Sequence, residues 1–238
     1  MTTSRSLYTS LIANTEPGKH IAQRLLATRT PVTVVDHIFY PDELGPADLA
    51  PSSLLTVHTG DIRNATLLSS VFTPDVVGVV HLAAISRVLQ CEENPLDCVD
   101  VNERGTRLVL DSLEQLNRND QGERWFVLAS SIEVYGDATT IAIPLREDAP
   151  TKPPSNYGAS KLAAERIVEA RVRTVQSSTD AGTLHAVALR LSHVYGGSYD
   201  HYDRLIPSIT AQALSDQVIQ ISGGQQTVRI SHSHESDH

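Results

Sequence analysis

Short apolar runs that do not alternate, each followed by a longer stretch of helical periodicity, constrain the fold of this chain most. Val32-Thr33-Val34-Val35 and Val76 to Val80 keep their apolar character over successive residues, whereas a strand with one wet face would alternate. These two runs predict strands covered on both faces, and candidate strands lie at Leu7–Ala13, Val32–Val35, Leu54–Thr59, Val76–Leu82, Trp125–Ser130 and Leu184–Leu191. Between them lie amphipathic segments, His20–Thr28, Asn102–Leu116 and Ser160–Arg173, with apolar residues at helical spacing. Strand and helix in alternation predict an α/β fold, a doubly wound parallel sheet with right-handed crossovers. Pro144, Pro150, Pro153 and Pro154 mark a rigid loop before the last of these helices.

The chain has 238 residues, enough for one sizeable domain with a short appendage. A formal charge of -9 without a basic patch argues against a nucleic-acid or anionic-membrane partner. Cys91 and Cys98 are its 2 cysteines, which excludes a secreted disulfide scaffold, and their spacing matches no metal site. Met1 to Ser10 lacks a signal-like apolar run, and no stretch reaches transmembrane length, so a soluble, cytoplasmic protein is expected. His232, His234, Glu235, Asp237 and His238 are of metal-ligand type, but a polar tail supplies no fixed geometry, and no metal site is expected.

In a doubly wound sheet the ligand crevice lies beyond the carboxyl ends of the strands, where strand order reverses. Asp36 closes one predicted strand; a carboxylate there accepts ribose hydroxyls and repels a 2′-phosphate, which favours NAD over NADP. Gly60-Asp61-Ile62 follows the next strand, and Asp61 is suited either to an adenine amine or to a helix N-cap. His81-Leu82-Ala83-Ala84 closes the fourth with small residues that let a dinucleotide pass close by. The first strand-to-helix turn, Ile12-Ala13-Asn14-Thr15-Glu16-Pro17-Gly18-Lys19, has Gly18 alone where a pyrophosphate turn is glycine-rich.

Tyr157-Gly158-Ala159-Ser160-Lys161 carries the strongest chemical signal. Four-residue spacing puts Tyr157 and Lys161 on one helical face, where an ammonium favours the phenolate and makes the tyrosine a usable base. Ser130-Ser131-Ile132-Glu133-Val134-Tyr135-Gly136 ends another predicted strand. There Ser131 can hydrogen-bond a substrate oxygen while Tyr157 moves its proton, and Glu133 is a second candidate base.

As an ordered set, Asp36, Gly60-Asp61-Ile62, His81-Leu82-Ala83-Ala84, Asn102 in Val101-Asn102-Glu103-Arg104-Gly105-Thr106, Ser131 and Tyr157/Lys161 resemble the extended short-chain dehydrogenase/reductases. Within them the chain is most similar to the nucleotide-sugar epimerase/dehydratase branch. Leu189-Arg190-Leu191-Ser192-His193-Val194-Tyr195-Gly196 is similar to that branch's strand leading into the sugar-nucleotide lobe, and the resemblance runs from about Gly18 to Arg229.

The resemblance implies a Rossmann-type NAD-binding domain over residues 1–196, and a partial substrate lobe with a polar His-rich tail over 197–238. It implies cofactor contacts from Gly18, Asp36, Asp61, Ile62, Leu82, Ala83, Ala84, Asn102, Tyr157 and Lys161. Substrate contacts would come from Ser131, Ser192, His193 and Arg229. Arg190 would sit near the phosphates or the cofactor crevice, or form a structural salt bridge. In the implied reaction NAD+ takes hydride from a sugar carbon while Tyr157 removes the hydroxyl proton, giving a keto-sugar that is epimerised, dehydrated or decarboxylated.

The chain departs from the family pattern in its glycine-poor first turn, in His193 where Asn is usual, and in Ile132 where hexose 4,6-dehydratases place an acid beside their Glu. Its last residues look like a truncated end. A homodimer through Asn102–Leu116 and Ser160–Arg173 is also implied. Two other readings are a non-catalytic remnant that binds dinucleotide weakly and a reductase of a non-sugar ketone.

Overall fold

The computed structural model describes residues 6–10, 16–37, 53–136, 145–178, 182–195, 205–215, 218–219 and 230–232. Six strands, β1 (Ser6–Ser10), β2 (Val32–Asp36), β3 (Leu55–Thr59), β4 (Val76–His81), β5 (Glu123–Ser131) and β6 (Thr183–Leu191), form one parallel sheet. Their order is β3-β2-β1-β4-β5-β6. The chain builds outward from β1 to β3, then returns to lay β4 on the other side of β1. Strand order therefore reverses between β1 and β4, where such sheets open a crevice at their carboxyl edge. Val34 and Val35, adjacent in β2, are both 0% exposed, so both faces of the sheet are covered at β2, as its unbroken apolar run requires, whereas at the edge strand β6 Val187 and Leu189 are exposed.

Seven α-helices are described: α1 (Glu16–Ala27), α2 (Ala65–Val71), α3 (Val88–Glu93), α4 (Pro95–Val99), α5 (Thr106–Asp120), α6 (Asn156–Gln176) and α7 (Leu205–Leu214). A π-helical turn, Asp100–Gly105, links α4 to α5, and a 3-10 turn, Ile132–Val134, follows β5. The main core joins Val109, Leu110 and Leu113 of α5 to Phe126 and Leu128 of β5 and to Ala164, Val168 and Val175 of α6. Burying a side chain of Val, Leu or Phe size stabilises by roughly 1.5–3 kcal/mol, so this layer dominates the packing. On the other face Ala22 of α1 packs on Val32 and Val34. A short parallel pair, β7 (His193–Tyr195) and β8 (Ile230–His232), stands apart from the large sheet.

All six predicted strands form, with boundaries shifted by a few residues; Leu11 to Ala13 lie outside the described residues. Both α1 and α6 begin four residues earlier than periodicity placed them, and at α6 a polar cap rather than an apolar residue sets the start. For α6 the cap is Ser155, whose Oγ accepts from Gly158 N at 3.0 Å. The helix expected over Asn102–Leu116 is instead a π-turn followed by α5. Helices α2 to α4 are too short to show a period, and α7 was also unforeseen. Asp61 does not cap α2; Asn64, directly before it, accepts from Thr66 N and Leu67 N at 3.0 and 3.1 Å. Cys91 and Cys98 meet in a disulfide, because the chain reverses at Asn94-Pro95 and brings their Cα atoms to 5.1 Å. Leu108 of α5 and Ile167 of α6 are partly buried against the monomer core.

Two contacts position the carboxyl edge of the sheet. Gly158 lies so close to the 3-10 turn that a Cβ there would sit 2.6 Å from Glu133 O and 3.0 Å from Pro153 Cβ. His81 ends β4 fully buried, its Nε2 3.0 Å from Thr106 Oγ1. The single Thr106 hydroxyl proton goes to Asn102 O at 2.6 Å, so His81 donates from Nε2. Burial, and secondarily the Lys161 charge, pushes the His81 pKa down to about 3.

Below pH 6.5 the unfolded chain protonates this imidazole while the native chain does not, so its contribution to stability is lost as pH falls from 6.5 towards 3. Urea unfolding should show native stability falling by about 1.4 kcal/mol per pH unit between roughly pH 6 and 4 from this group. His81→Gln should flatten that slope, and an unaltered slope would refute the assignment. Gly158→Val should cost roughly 1–3 kcal/mol by overpacking; an unchanged urea midpoint would show that α6 can shift freely.

Candidate active site

The carboxyl ends of β4, β5 and β6 and the first turn of α6 converge on one edge of the sheet. Ser131 is the last residue of β5 and pairs in register with Leu191 at the end of β6. Its Oγ accepts from Glu133 N at 3.2 Å, capping the 3-10 turn that carries Glu133, which is half-buried. The close approach at Gly158 sets the first turn of α6 against that same turn, and Tyr157 lies next to Gly158 in the chain. Lys161, one turn further along α6, is buried and donates from Nζ to Ala129 O at 2.9 Å. Its Nζ is 5.9 Å from the centroid of the Tyr157 ring. Burial pushes the Lys161 pKa down to about 8, which leaves the ammonium charged at neutral pH but easily titrated.

Asn102 braces this arrangement. Its Oδ1 accepts from Ile85 N at 2.7 Å, and its Nδ2 donates to Ile85 O at 3.1 Å and to Ser160 Oγ at 2.9 Å. The carboxamide thus ties the loop after β4 to α6. The π-turn that carries Asn102 is a feature often found at functional sites. At Gly105 a Cβ would meet Ile62 Cδ1 at 2.5 Å, so Ile62 is a packing residue beneath this turn.

The remaining residues singled out from sequence fall around the same edge. Asp36 is buried at the end of β2, and Gly60 N donates to its backbone oxygen at 2.7 Å. Leu82, Ala83 and Ala84 follow β4 directly, Ala84 being buried. Gly18 is buried within the first turn of α1. Residues 11–15 of the preceding turn lie outside the described residues, as do Arg229 and residues 233–238 of the tail. Ser192 and His193 follow β6, with His193 exposed at the head of β7.

Two networks were not foreseen in this form. Arg190 forms the structural salt bridge that was one of its two readings: Nε and Nη2 donate to the Glu165 carboxylate at 2.9 and 2.7 Å. Its Nη1 donates to Tyr135 Oη at 2.8 Å, and the guanidinium lies 4.6 Å from the Tyr135 ring centroid. Ser130 Oγ donates to the same Glu165 carboxylate. Tyr157, Lys161 and Glu165 recur at four-residue spacing, a signal that was available in the sequence. The second network surrounds Asp61. Arg63 Nη2 pairs with Asp61 at 2.6 Å, and Nη1 pairs with Asp97 and Asp100, each at 2.9 Å. The Arg63 hydrogen bonds hold the Asp61 carboxyl below the usual carboxylate range. Among the described residues no cluster of three or more His, Cys, Asp or Glu could hold a metal, and no helix is long and apolar enough to cross a membrane.

A dinucleotide is the group this edge fits. Strand order reverses there, a buried carboxylate ends β2 where adenosine ribose hydroxyls bind such folds, and small residues line the exit of β4. Asp36 would hold the ribose, Asp61 the adenine amine, and Lys161 the nicotinamide-side ribose.

The model of the NAD dependent epimerase/dehydratase family matches residues 17–235. A UDP-glucose 4-epimerase of Lacticaseibacillus casei is 31% identical over 77% of this chain and 50% of its own length. A dTDP-glucose 4,6-dehydratase of Shigella flexneri is 29% identical over 85% of the chain and 58% of its own length. The chain thus spans about half the length of the curated relatives it matches. Among solved structures, a dTDP-glucose 4,6-dehydratase from Streptomyces venezuelae with NAD bound has a TM-score of 0.77 at 28% identity, covering 97% of this chain and 68% of its own. A UDP-glucuronic acid 4-epimerase from Bacillus cereus, in complex with UDP-glucuronic acid and NAD, has a TM-score of 0.78 at 26% identity, covering 96% and 69%. With its reversed strand order, its ordered strand-end motifs and a family match over nearly its whole length, the chain belongs to the NAD dependent epimerase/dehydratase family.

Proposed function

We propose that this chain carries the catalytic machinery of an NAD-dependent nucleotide-sugar epimerase, working through a keto-sugar. The observation that carries the reading is Tyr157 and Lys161 on one face of α6, seated against the Ser131 end of β5. When bound, the nicotinamide supplies a reversible hydride acceptor. Tyr157 Oη takes the proton of the reacting sugar hydroxyl and later returns it. The Lys161 ammonium, held by Ala129 O, favours the phenolate; Ser131 Oγ hydrogen-bonds the reacting oxygen. Asp36 and Asp61 orient the adenosine end, and Ser192, His193 and Arg229 are assigned to the sugar nucleotide.

The neighbouring residues favour epimerisation over dehydration. Loss of water requires an acid to protonate the leaving hydroxyl and a base to take the adjacent proton. Glu133 can serve as one of these, but Ile132, beside it, packs with Val134, Tyr135 and Leu162. A methylated side chain in an apolar cluster supplies no proton. The reading retains residues 1–196 as the dinucleotide-binding part, 197–238 as part of the substrate lobe, a cytoplasmic location and a homodimer through α5 and α6. The family match does not favour a non-catalytic remnant or a reductase of non-sugar ketones.

With NAD+ present, Tyr157→Phe should lower kcat about 10^2–10^4-fold, the usual range for removing a general base, while leaving NAD+ binding by calorimetry within a few-fold of the native value. Undiminished turnover would exclude the phenol as base. Incubation with UDP-glucose, UDP-galactose and dTDP-glucose, followed by chromatography of the products, should give the 4-epimer of one of them. Accumulation of a 4-keto-6-deoxy product instead would overturn the preference for epimerisation.

A further inference from the structure

Helices α3 and α4 form a thin cover beside the first turn of α6. Leu89 and Leu96 on them are 70% and 86% exposed, and Cys91 and Cys98 are the buried residues of the two helices. Apolar burial therefore holds this cover weakly, and specific links do most of the holding. The Glu92 carboxylate of α3 accepts from Asn156 N and Nδ2, both at 2.7 Å, at the residue before Tyr157. Asp97 of α4 pairs with Arg63, which pairs with Asp61. The Cys91–Cys98 disulfide joins α3 to α4 and closes the loop that carries both links. Cys98 Sγ also lies 3.6 Å from Ser160 Oγ and 3.5 Å from Asn102 Nδ2, the pair that braces the catalytic helix.

We propose that Cys91 and Cys98 form a reversible dithiol–disulfide switch whose oxidised form holds Asp61 and the start of α6 in register, and whose reduced form releases both. The partner chemistry is thiol–disulfide exchange with a dithiol reductant or a low-molecular-weight disulfide oxidant. In reduction a thiolate of the dithiol attacks one protein sulfur, the S–S bond breaks and the other cysteine leaves as a thiolate that takes a proton. The second thiol of the reductant then displaces the first cysteine, so the reductant ends as its own disulfide and the protein as two thiols. Both sulfurs are fully buried, so exchange proceeds through local opening of the α3–α4 segment, whose few buried apolar contacts make such opening inexpensive in free energy. The linkage to dinucleotide affinity rests on the proposed function.

The test uses the full chain. Thiols are titrated under denaturing conditions before and after dithiothreitol treatment. NAD+ binding is measured by calorimetry in each state once the reductant is removed, and trypsin cleavage after Arg87 is timed. The expected result is no free thiol before treatment and two after it. The NAD+ Kd should rise about tenfold and cleavage at Arg87 should quicken, with the sheet's circular dichroism unchanged. Oxidised glutathione should restore the first state, and Cys91→Ser/Cys98→Ser should match the reduced form and ignore dithiothreitol. Thiols that oxidised glutathione cannot close into a disulfide, or equal affinity and equal cleavage in both states, would overturn the switch. A redox-dependent cleavage rate with no NAD+ binding in either state supports the switch and rejects the dinucleotide reading.

Discussion

The seating of the first turn of α6 on the carboxyl end of β5 is the contact on which the candidate site depends. Tyr157 and Lys161 belong to one helix, Ser131 and Glu133 to a strand and its following turn, and nothing local brings the two together. Three features do: the missing Cβ at Gly158, the Lys161 hydrogen bond to Ala129 O and the Ser155 cap that starts α6 early enough to include Tyr157. Each acts on backbone or on a short side chain, so the geometry they impose is stiff. An added carbon at Gly158 would strike a carbonyl oxygen, which cannot rotate away as a side chain can.

Charge is distributed around this contact with little redundancy. Lys161 is buried, which lowers its pKa, and its ammonium is held by the neutral Ala129 carbonyl. His81, the nearby buried imidazole, stays neutral and so adds no second charge beside Lys161. The arginines are placed differently. Arg190 and Arg63 each use the planar fork of the guanidinium on a carboxylate, and each joins segments distant in sequence. They frame the site by fixing β6 to α6 and the β3–α2 loop to α4, without entering the proposed chemistry.

Much of this was legible from the residues. Unbroken valine runs announced strands buried on both faces, and four-residue spacing placed Tyr157 and Lys161 together. What escaped was of two kinds. Helices α3 and α4 are six and five residues long, less than two turns, so no period could be read from them. Asn102 reaches Ile85 and Ser160, Arg63 reaches Asp97 and Arg190 reaches Glu165 across 17, 58, 34 and 25 residues, beyond any local pattern. Asn102 was noticed as a cofactor contact, and its type suits a hydrogen bond to a backbone as well.

By itself the sequence determined the doubly wound class, the strand ends that bear polar residues and the phenol–ammonium pair, because these follow from unbroken apolar runs and helical spacing along the chain. The tertiary structure decided which strand ends became neighbours and which polar groups were satisfied within the protein. It also brought the two cysteines together across the reversal at Asn94-Pro95. Local sequence sets backbone conformation over a few residues, whereas the choice of partner for a buried polar group depends on everything else packed around it.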